Sequence, residues 1–219
     1  MGRKKTRFTL LSVSFLLFVS CSGKANPSIT KETTSHLGQG LKKAYFASGC
    51  FWCVEAVFES VRGVEEAVSG YAGGDEQHPT YRQVSSGSTG HTETVEVWYD
   101  PKVVSYETLL TVYYGSHNPT TVNGQHPDYG TQYRSAIFYT SEDERKQAEA
   151  YKQKLDKSKE YTSPIATEIS ALKKFWIAED YHQNYEKLHP NQPYVKSVSI
   201  PRLRRFQQKY PQLLKSSHK

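Results

Sequence analysis

The apolar and polar positions after about residue 41 change their period several times, which predicts both strands and helices. KKAYFAS, Lys42–Ser48, is predicted to form a short strand. From Cys50 onward apolar residues recur every three or four positions, which predicts an amphipathic helix that ends at Gly63. Residues 63–74 predict a second strand that closes in a glycine turn. HTETVEVWYDP alternates cleanly as far as Pro101 and predicts a third.

The second half of the chain continues this mixture. SYETLLTVYYGSH predicts a helix, YRSAIFYT a strand, and a capping-box pattern of Ser141 and Glu144 precedes the helical EDERKQAEAYKQKLDK. TSPIATEIS predicts a last strand, and after about Glu179 short helical stretches alternate with Pro-marked loops. There is no steady βαβ rhythm and no dinucleotide-binding glycine pattern. We therefore predict an α+β two-layer sandwich, a mixed β-sheet with helices packed on it (ferredoxin-like core), and a long irregular C-terminal segment.

The first twenty residues have the pattern of an export signal. Four basic residues precede the uncharged run FTLLSVSFLLFVS, which is short for a bilayer span but has the length of a secretory apolar region. Cys21 follows directly, as in a bacterial lipoprotein signal whose cysteine is acylated and becomes the new N-terminus. Phe18 stands where such signals usually have leucine. The alternative is an ordinary signal cleaved after Ala25.

These patterns divide the chain into four predicted parts. They are a signal peptide (1–20) with Cys21 as the lipidated N-terminus, a flexible tether (21–40), one domain (41–211) and a basic tail (212–219). We expect an exported protein of the bacterial cell envelope, a membrane-anchored lipoprotein on the periplasmic side.

Removal of the signal changes the charge of the chain. The formal charge of +6 falls to +2, because residues 1–20 carry four basic and no acidic side chains. Nucleic-acid binding is therefore not predicted. Export also implies an oxidising compartment. With Cys21 acylated, Cys50 and Cys53 are the only thiols left.

The two cysteines of GCFWC carry the first candidate chemistry. Cys50 lies at the predicted strand-to-helix turn, where the helix dipole favours a thiolate, and Cys53 follows one turn later. This arrangement is usual for an attacking and a resolving cysteine, although both could be buried as small apolar residues. A zinc site with His117 and His126 is not favoured, because the four residues show no recognisable ligand spacing.

Two carboxyl groups and two tyrosines complete the candidates. Alternation places Glu93 on one strand face with valines, where burial would raise its pKa and keep it protonated as an acid, unless Glu96 on the other face is the buried one. Asp128 lies in a Pro/Gly-marked loop, where the simpler interpretation is a turn aspartate. Tyr81 and Tyr133 offer hydroxyl donors, a weak signal among sixteen tyrosines.

Taken together, these segments resemble the A-type peptide methionine sulfoxide reductases. The resemblance is carried by GCFWCVEAVFESVRGV, SGYAGG, PTYRQVSSGSTGHTETVEVWYDP, NPTTVNGQHPDYGTQYRSAIFY and FWIAEDYHQNY, in the order of the family. They span roughly residues 42–185. Gly-Cys-Phe-Trp with a downstream Gly-His-x-Glu and Asp-x-Gly-x-Gln-Tyr-Arg-Ser is highly specific.

The resemblance implies a role for each matching residue. Cys50 would attack the sulfur of methionine-S-sulfoxide, while Glu93 acts as the acid toward the sulfoxide oxygen. The residues implied in substrate binding are Tyr81 and Tyr133 at that oxygen, Asp128, which orients it, and Phe51 and Trp52 at the methyl group. The products would be methionine and a sulfenic acid on Cys50.

The sequence departs from many members of the family at Cys53, where they have glycine and resolve the sulfenic acid with a cysteine in the C-terminal tail. Here Val195 stands after PY and no cysteine follows Cys53. A Cys50–Cys53 disulfide, reduced by an external thioredoxin-like dithiol without any cofactor, is therefore expected. Direct reduction of the sulfenic acid by an external thiol is the alternative.

The expected partners are oxidised proteins or peptides, the thioredoxin-like reductant and the membrane, reached through the lipid at Cys21, and the protein is expected to be a monomer. Two other functions stay open from the residues. One is a general thiol–disulfide oxidoreductase that uses the same Cys-x-x-Cys. The other is a non-catalytic module that recognises oxidised methionine.

Overall fold

The computed structural model describes residues 1–2 and 40–218. The predicted signal peptide, the lipidated Cys21 and the tether up to residue 39 lie outside the described residues. Within the described residues, the first regular element is the strand that starts at Lys42, next to the predicted start of order near Leu41.

A six-stranded mixed sheet forms the centre of the domain. Its strand order is β7-β6-β1-β3-β2-β8, in which only the β6–β7 pair is parallel and every other neighbouring pair is antiparallel. A two-stranded ribbon of β4 and β5 lies apart from it. The strands are β1 Lys42–Ser48, β2 Val64–Ala72, β3 Thr92–Tyr99, β4 Gly124–Gln125, β5 Asp128–Tyr129, β6 Ser135–Tyr139, β7 Glu168–Ala171 and β8 Trp176–Ile177.

Six α-helices connect or follow these strands. They are α1 Phe51–Glu59, α2 Tyr81–Ser85, α3 Tyr106–Gly115, α4 Glu142–Ser158, α5 Tyr185–Leu188 and α6 Ile200–Lys209, and a π-helical turn, Val195–Ser199, leads into α6. The units β1-α1-β2 and β3-α3-β6 interlock, since β3 lies between β1 and β2 while β1 lies between β3 and β6. The predicted α+β class with a ferredoxin-like core is thus confirmed.

Both faces of the sheet are buried. Alternate residues of β1 show this, since Phe46 packs into the main core beneath α1 and α3, whereas Tyr45 belongs to a smaller apolar cluster on the opposite face. Leu172 and Phe175, between β7 and β8, cover that cluster. Among residues 1–2 and 40–218, no helix has the length and apolar character needed to cross a bilayer.

Two predicted element boundaries differ from the structure. The first helix ends at Glu59 rather than Gly63, because the Ser60 hydroxyl donates to the Val57 carbonyl and Val61 forms a bridge with Leu214. TSPIATEIS is strand only from Glu168 onward. Its first half is a loop, whose backbone N–H groups donate to Asp156 and Pro119.

After about Glu179 short helical elements alternate with loops, as predicted, and the ten-residue helix α6 is the longest of them. The chain continues to pack beyond the expected boundary at 211. Leu214 is 2% exposed, and the backbone of residues 213–215 bonds to Ser60 and Arg62.

Candidate active site

The turn between β1 and α1 presents Cys50 at the first position before the helix. Gly49 has φ +84°, and a Cβ at this position would lie 2.8 Å from Cβ of Gln125, so only glycine fits without displacing its neighbours. The backbone N–H of Phe51 donates to Glu93 Oε2 at 2.9 Å. The free positive end of α1 is therefore directed at a carboxyl group beside Cys50.

The two cysteines are free thiols, and both are buried. Burial, a hydrogen bond with Cys53 and the charges of Cys53, Glu93 and Asp128 raise the pKa of the Cys50 thiol well above its ordinary value. The same hydrogen bond and the positive charge of Arg202 lower the pKa of Cys53 to about 7. Cys50 is thus a thiol in the resting protein. This differs from the expectation of a stabilised thiolate, because burial and acidic neighbours outweigh the helix dipole.

Glu93 lies on the helix-covered face of β3 and is 2% exposed, as the alternation predicted. Burial, followed by the charges of Asp128 and Cys53, raises its pKa to about 8, against the hydrogen bond from Phe51 N–H. Glu96 is buried too, but on the other face, where it accepts hydrogen bonds from Tyr45 and Trp98. Of the two glutamates, Glu93 is the one near the cysteines, and it is protonated at neutral pH.

Asp128 is joined to the cysteine pair through a tyrosine of the C-terminal segment. The Tyr194 hydroxyl donates to Asp128 Oδ2 and lies 3.9 Å from Cys53 Sγ. Burial raises the pKa of Asp128, and the bond from Tyr194 opposes that shift. The carboxyl group thus faces the thiols rather than its own turn.

Aromatic rings enclose the side of the site where Phe51 and Trp52 begin α1. Trp52 stacks on Tyr185 with 3.8 Å between ring centroids and an interplanar angle of 8°. Its indole N–H donates to His182 Nδ1 at 3.1 Å. The His182 ring lies 4.9 Å from Phe51 and 4.3 Å from Tyr81. The result is an apolar cluster of planar side chains.

Separate anchors position the two tyrosines. The Tyr81 backbone N–H donates to Glu179 Oε1 at 2.9 Å, and its ring lies nearly parallel to Phe51 at 6.4 Å. Tyr133 ends a 3-10 turn that is tied to β3, since Thr92 Oγ1 donates to the Gln132 carbonyl at 2.8 Å. Burial and then the charge of Glu93 raise the pKa of both hydroxyls, that of Tyr81 to about 12. Both are neutral hydrogen-bond donors.

The structure thus brings together eight of the predicted site residues, namely Cys50, Phe51, Trp52, Cys53, Tyr81, Glu93, Asp128 and Tyr133. Cys21 lies outside the described residues. Three further residues were missed from the sequence: His182, Tyr194 and Arg202. Arg202 is 8% exposed and donates to the Ser48 carbonyl at 2.8 Å, which places its charge beneath the cysteines. No spacing pattern distinguished these three from other tail residues. Within residues 40–218, no group of three His, Cys, Asp or Glu side chains is placed to hold a metal ion.

The comparisons with known proteins agree on one family. The model of the family described as "Peptide methionine sulfoxide reductase" matches residues 42–214. The chain is 46% identical over 174 residues to Peptide methionine sulfoxide reductase MsrA of Polynucleobacter asymbioticus, covering 80% of this chain and 92% of that protein. It is 43% identical over 204 residues to MsrA 2 of Synechocystis sp., covering 93% and 95% of the two chains.

Solved structures give the same result. Mxr1 from Saccharomyces cerevisiae in reduced form superposes with a TM-score of 0.66 at 34% identity, covering 69% of this chain and 87% of that one. Methionine sulfoxide reductase A of Corynebacterium diphtheriae gives a TM-score of 0.62 at 36% identity, covering 70% and 77%.

Proposed function

The chain belongs to the peptide methionine sulfoxide reductase family and is an oxidoreductase that reduces methionine sulfoxide, and on this premise we propose the roles of its residues. Cys50 is the nucleophile, Glu93 the acid and Cys53 the resolving thiol. The substrate is the S-epimer of methionine sulfoxide in oxidised proteins or peptides, which the enzyme repairs.

Substrate binding divides between the two chemical surfaces of the site. The methyl group of the sulfoxide packs on the apolar cluster at Phe51 and Trp52, because an apolar group gains most from leaving water there. The sulfoxide oxygen points to protonated Glu93 and to the hydroxyls of Tyr81 and Tyr133. Asp128 lies on the same polar side of the site and orients this group of donors.

The reduction transfers the oxygen from substrate to enzyme. As Cys50 Sγ attacks the sulfoxide sulfur, Glu93 gives its proton to the oxygen and regains a proton from the Cys50 thiol. The S–O bond of the substrate breaks and an S–O bond on Cys50 forms, which yields methionine and the Cys50 sulfenic acid. The raised pKa of Cys50 fits this order, because the thiol holds its proton until the oxygen needs one.

Cys53 then closes the cycle on the enzyme. Its sulfur attacks the sulfenic acid, the hydroxyl leaves as water, and a Cys50–Cys53 disulfide forms. The lowered pKa of Cys53, about 7, favours the attacking thiolate. A thioredoxin-like dithiol reduces the disulfide, and no cofactor takes part.

One observation carries this proposal: the buried, protonated Glu93 contacts the first backbone N–H of α1, one residue from Cys50. A general thiol–disulfide oxidoreductase does not need a carboxylic acid held at that point. The arrangement supports an acid acting on an oxygen next to the sulfur nucleophile.

The recycling step is tested by mass spectrometry after one equivalent of a methionine-S-sulfoxide peptide without reductant. We expect one equivalent of methionine peptide and the loss of two hydrogens across Cys50–Cys53. Cys53→Ser is the matched variant and should instead retain one oxygen on Cys50. A persistent sulfenic acid in the unaltered protein would remove the resolving role of Cys53, and turnover by Cys50→Ser would refute the assignment of the nucleophile.

We further propose that residues 1–20 direct export and that Cys21 is acylated, which anchors the enzyme in the cell envelope. The basic start, the apolar run and the cysteine directly after it support this. Metabolic labelling of the bacterium with a fatty-acid probe should label the protein, and Cys21→Ser should lose the label and leave the membrane fraction. Equal labelling of both proteins would contradict the proposed anchor.

A further inference from the structure

A cavity beside the cysteine pair has neither Phe51 nor Trp52 in its lining. It has a volume of about 530 Å³ and lies between the loop after α3 and helix α6. Cys53 lines this cavity, together with Tyr194, Asp128 and Arg202. Cavities of this size accommodate small ligands or a few side chains of a partner.

The two cysteines differ in their access to this cavity. Cys53 belongs to its lining, whereas Cys50 does not. In thiol–disulfide exchange the attacking, central and leaving sulfur atoms lie close to one line. A thiolate that enters through this cavity therefore meets Cys53 as the central sulfur, with Cys50 as the leaving group on the far side.

The charge of the cavity is mainly positive. Arg205 and Lys209 are exposed and line its mouth, and Arg202 lies within it. Lys209 lies 3.5 Å from Glu160, while Arg205 has no ion-pair partner within residues 40–218. The acidic group in the lining is Asp128, which is held by the Tyr194 hydroxyl. Such a mouth raises the local concentration of anions.

We propose that this cavity is the entry site of the reductant, and that it selects a thiol with a negatively charged group near its sulfur, which attacks Sγ of Cys53. The inference rests on the proposed Cys50–Cys53 disulfide. The negative charge can belong to a small thiol itself or to acidic residues that flank the cysteines of a protein dithiol.

The exchange balances in two steps. The entering thiolate forms a bond to Cys53 Sγ as the Cys50–Cys53 bond breaks, and the Cys50 thiolate takes up a proton. A second thiolate attacks the entering sulfur, breaks its bond to Cys53 and releases Cys53 as a thiolate, so that two thiols are oxidised to one disulfide. The Arg202 charge beside Cys53 favours the second step, since it stabilises the leaving thiolate.

The test uses protein oxidised with diamide, so that the disulfide is present whether or not sulfoxide turnover produces it. Its reduction rate is measured with three small monothiols of similar size, namely anionic mercaptoethanesulfonate, neutral mercaptoethanol and cationic cysteamine. For each thiol, the reduction rate of the Arg205→Glu variant is divided by that of the unaltered protein, so that the intrinsic reactivity of the thiol cancels. Lys102→Glu is the matched control, since Lys102 follows β3 at the end of the sheet opposite the cysteines.

We expect the ratio for the anionic thiol to fall about threefold to tenfold at low salt and to recover at high salt, and the ratio for the cationic thiol to rise. Lys102→Glu should give equal ratios for all three. Equal ratios in Arg205→Glu would overturn the charge selection. A protein dithiol whose acidic residues flank its cysteines should show the same loss if it uses this entry, and no loss would restrict the site to small thiols.

The attacked sulfur is identified separately by alkylating the protein during reduction with mercaptoethanesulfonate and sequencing the peptide by tandem mass spectrometry. The entering thiol on Cys53 and the alkyl group on Cys50 are expected. The reverse assignment would overturn the proposal. These outcomes do not depend on sulfoxide turnover, which the mass measurement on the substrate-treated enzyme tests.

Discussion

At the scale of single residues, Glu93 connects burial to catalysis. Its carboxyl group keeps a proton at neutral pH because the surroundings disfavour its charge, and in the proposed mechanism this proton goes to the sulfoxide oxygen. The acid form is present below the pKa and is lost as the pH rises through it.

We predict that Glu93→Gln lowers kcat/KM for sulfoxide reduction about 10²- to 10³-fold, because glutamine fills the same space but has no proton to transfer. In the unaltered enzyme kcat/KM should fall as the pH rises through about 8, and this limb should be absent from the variant. Single-turnover methionine formation measures both without interference from the reductant. Thiol–disulfide exchange should be nearly unaffected; equal loss of both activities would favour a general oxidoreductase.

His182 positions Trp52 through one tautomer. Because His182 Nδ1 accepts from the indole, the ring proton is on Nε2, and burial lowers the pKa of His182 to about 4, so that the ring stays neutral. We expect His182→Leu to raise KM about twofold to tenfold with a smaller change in kcat, which corresponds to one lost hydrogen bond of about 0.5–1.5 kcal/mol. His182→Asn, whose amide oxygen can replace Nδ1 as acceptor, should restore most of the affinity.

The readout for His182 is the pair of steady-state constants, with the Trp52 fluorescence as a second signal in a background where Trp98 and Trp176 are replaced by Phe. An emission change in His182→Leu that His182→Asn reverses supports the positioning role. If both variants lose the same affinity, the hydrogen bond is not the cause.

At the scale of elements, the turn from β1 into α1 sets the position of Cys50, the proposed nucleophile. We predict that Gly49→Ala destabilises the protein by about 2–4 kcal/mol, the sum of a left-handed backbone and a contact with Gln125 that a shift of backbone must relieve. Gly87→Ala is the matched control. Gly87 has φ +70°, but a Cβ there would come no closer than 3.6 Å to Gln132, so only the backbone cost of about 1–2 kcal/mol applies.

Urea unfolding measures the two stabilities, and single-turnover rates measure the effect on Cys50. Gly49→Ala should also slow methionine formation, because the displaced turn moves the sulfur, whereas Gly87→Ala should not. Equal destabilisation by the two variants would show that the contact with Gln125 is relieved without cost.

At the scale of the whole molecule, the C-terminal residues close the domain. Removal of residues 212–219 takes away buried Leu214 and the carbonyl that Arg62 N–H bonds to at 2.8 Å. We expect a loss of about 2–4 kcal/mol and a fall in Tm of about 5–10 °C. Removal of 216–219 alone is the control and should change Tm little. A stable 1–211 chain would restore the boundary predicted from the sequence.

From the sequence we could predict those features of the fold and of the site that depend on residues close together along the chain. Alternation located β3 and the buried face of Glu93, and the three- and four-residue spacing located α1, because each signal depends on neighbours along the chain. The resemblance to the family motifs then identified Asp128, Tyr81 and Tyr133 as candidate site residues. The position of each of these residues alone does not indicate a function.

What the sequence did not provide are contacts between distant residues. Tyr194 reaches Cys53 across 141 positions, His182 reaches Trp52 across 130, and Arg202 reaches Ser48 across 154. The raised pKa of Cys50 belongs to this group as well, since it depends on burial that only the assembled site produces. The position of Cys50 at the start of a helix, taken alone, predicted a lowered pKa.

The strand order of the sheet affects how this enzyme interacts with other polypeptides. Its outer strands are short, four residues in β7 and two in β8, and Arg134 pairs with Glu168 on the first of them. Long unpaired edges invite other chains to add a strand and start aggregates. An enzyme that acts on oxidised polypeptides, as proposed here, would meet such chains repeatedly. The short outer strands of its sheet offer such chains almost no row of free backbone groups to pair with, which would favour their release after the proposed reaction.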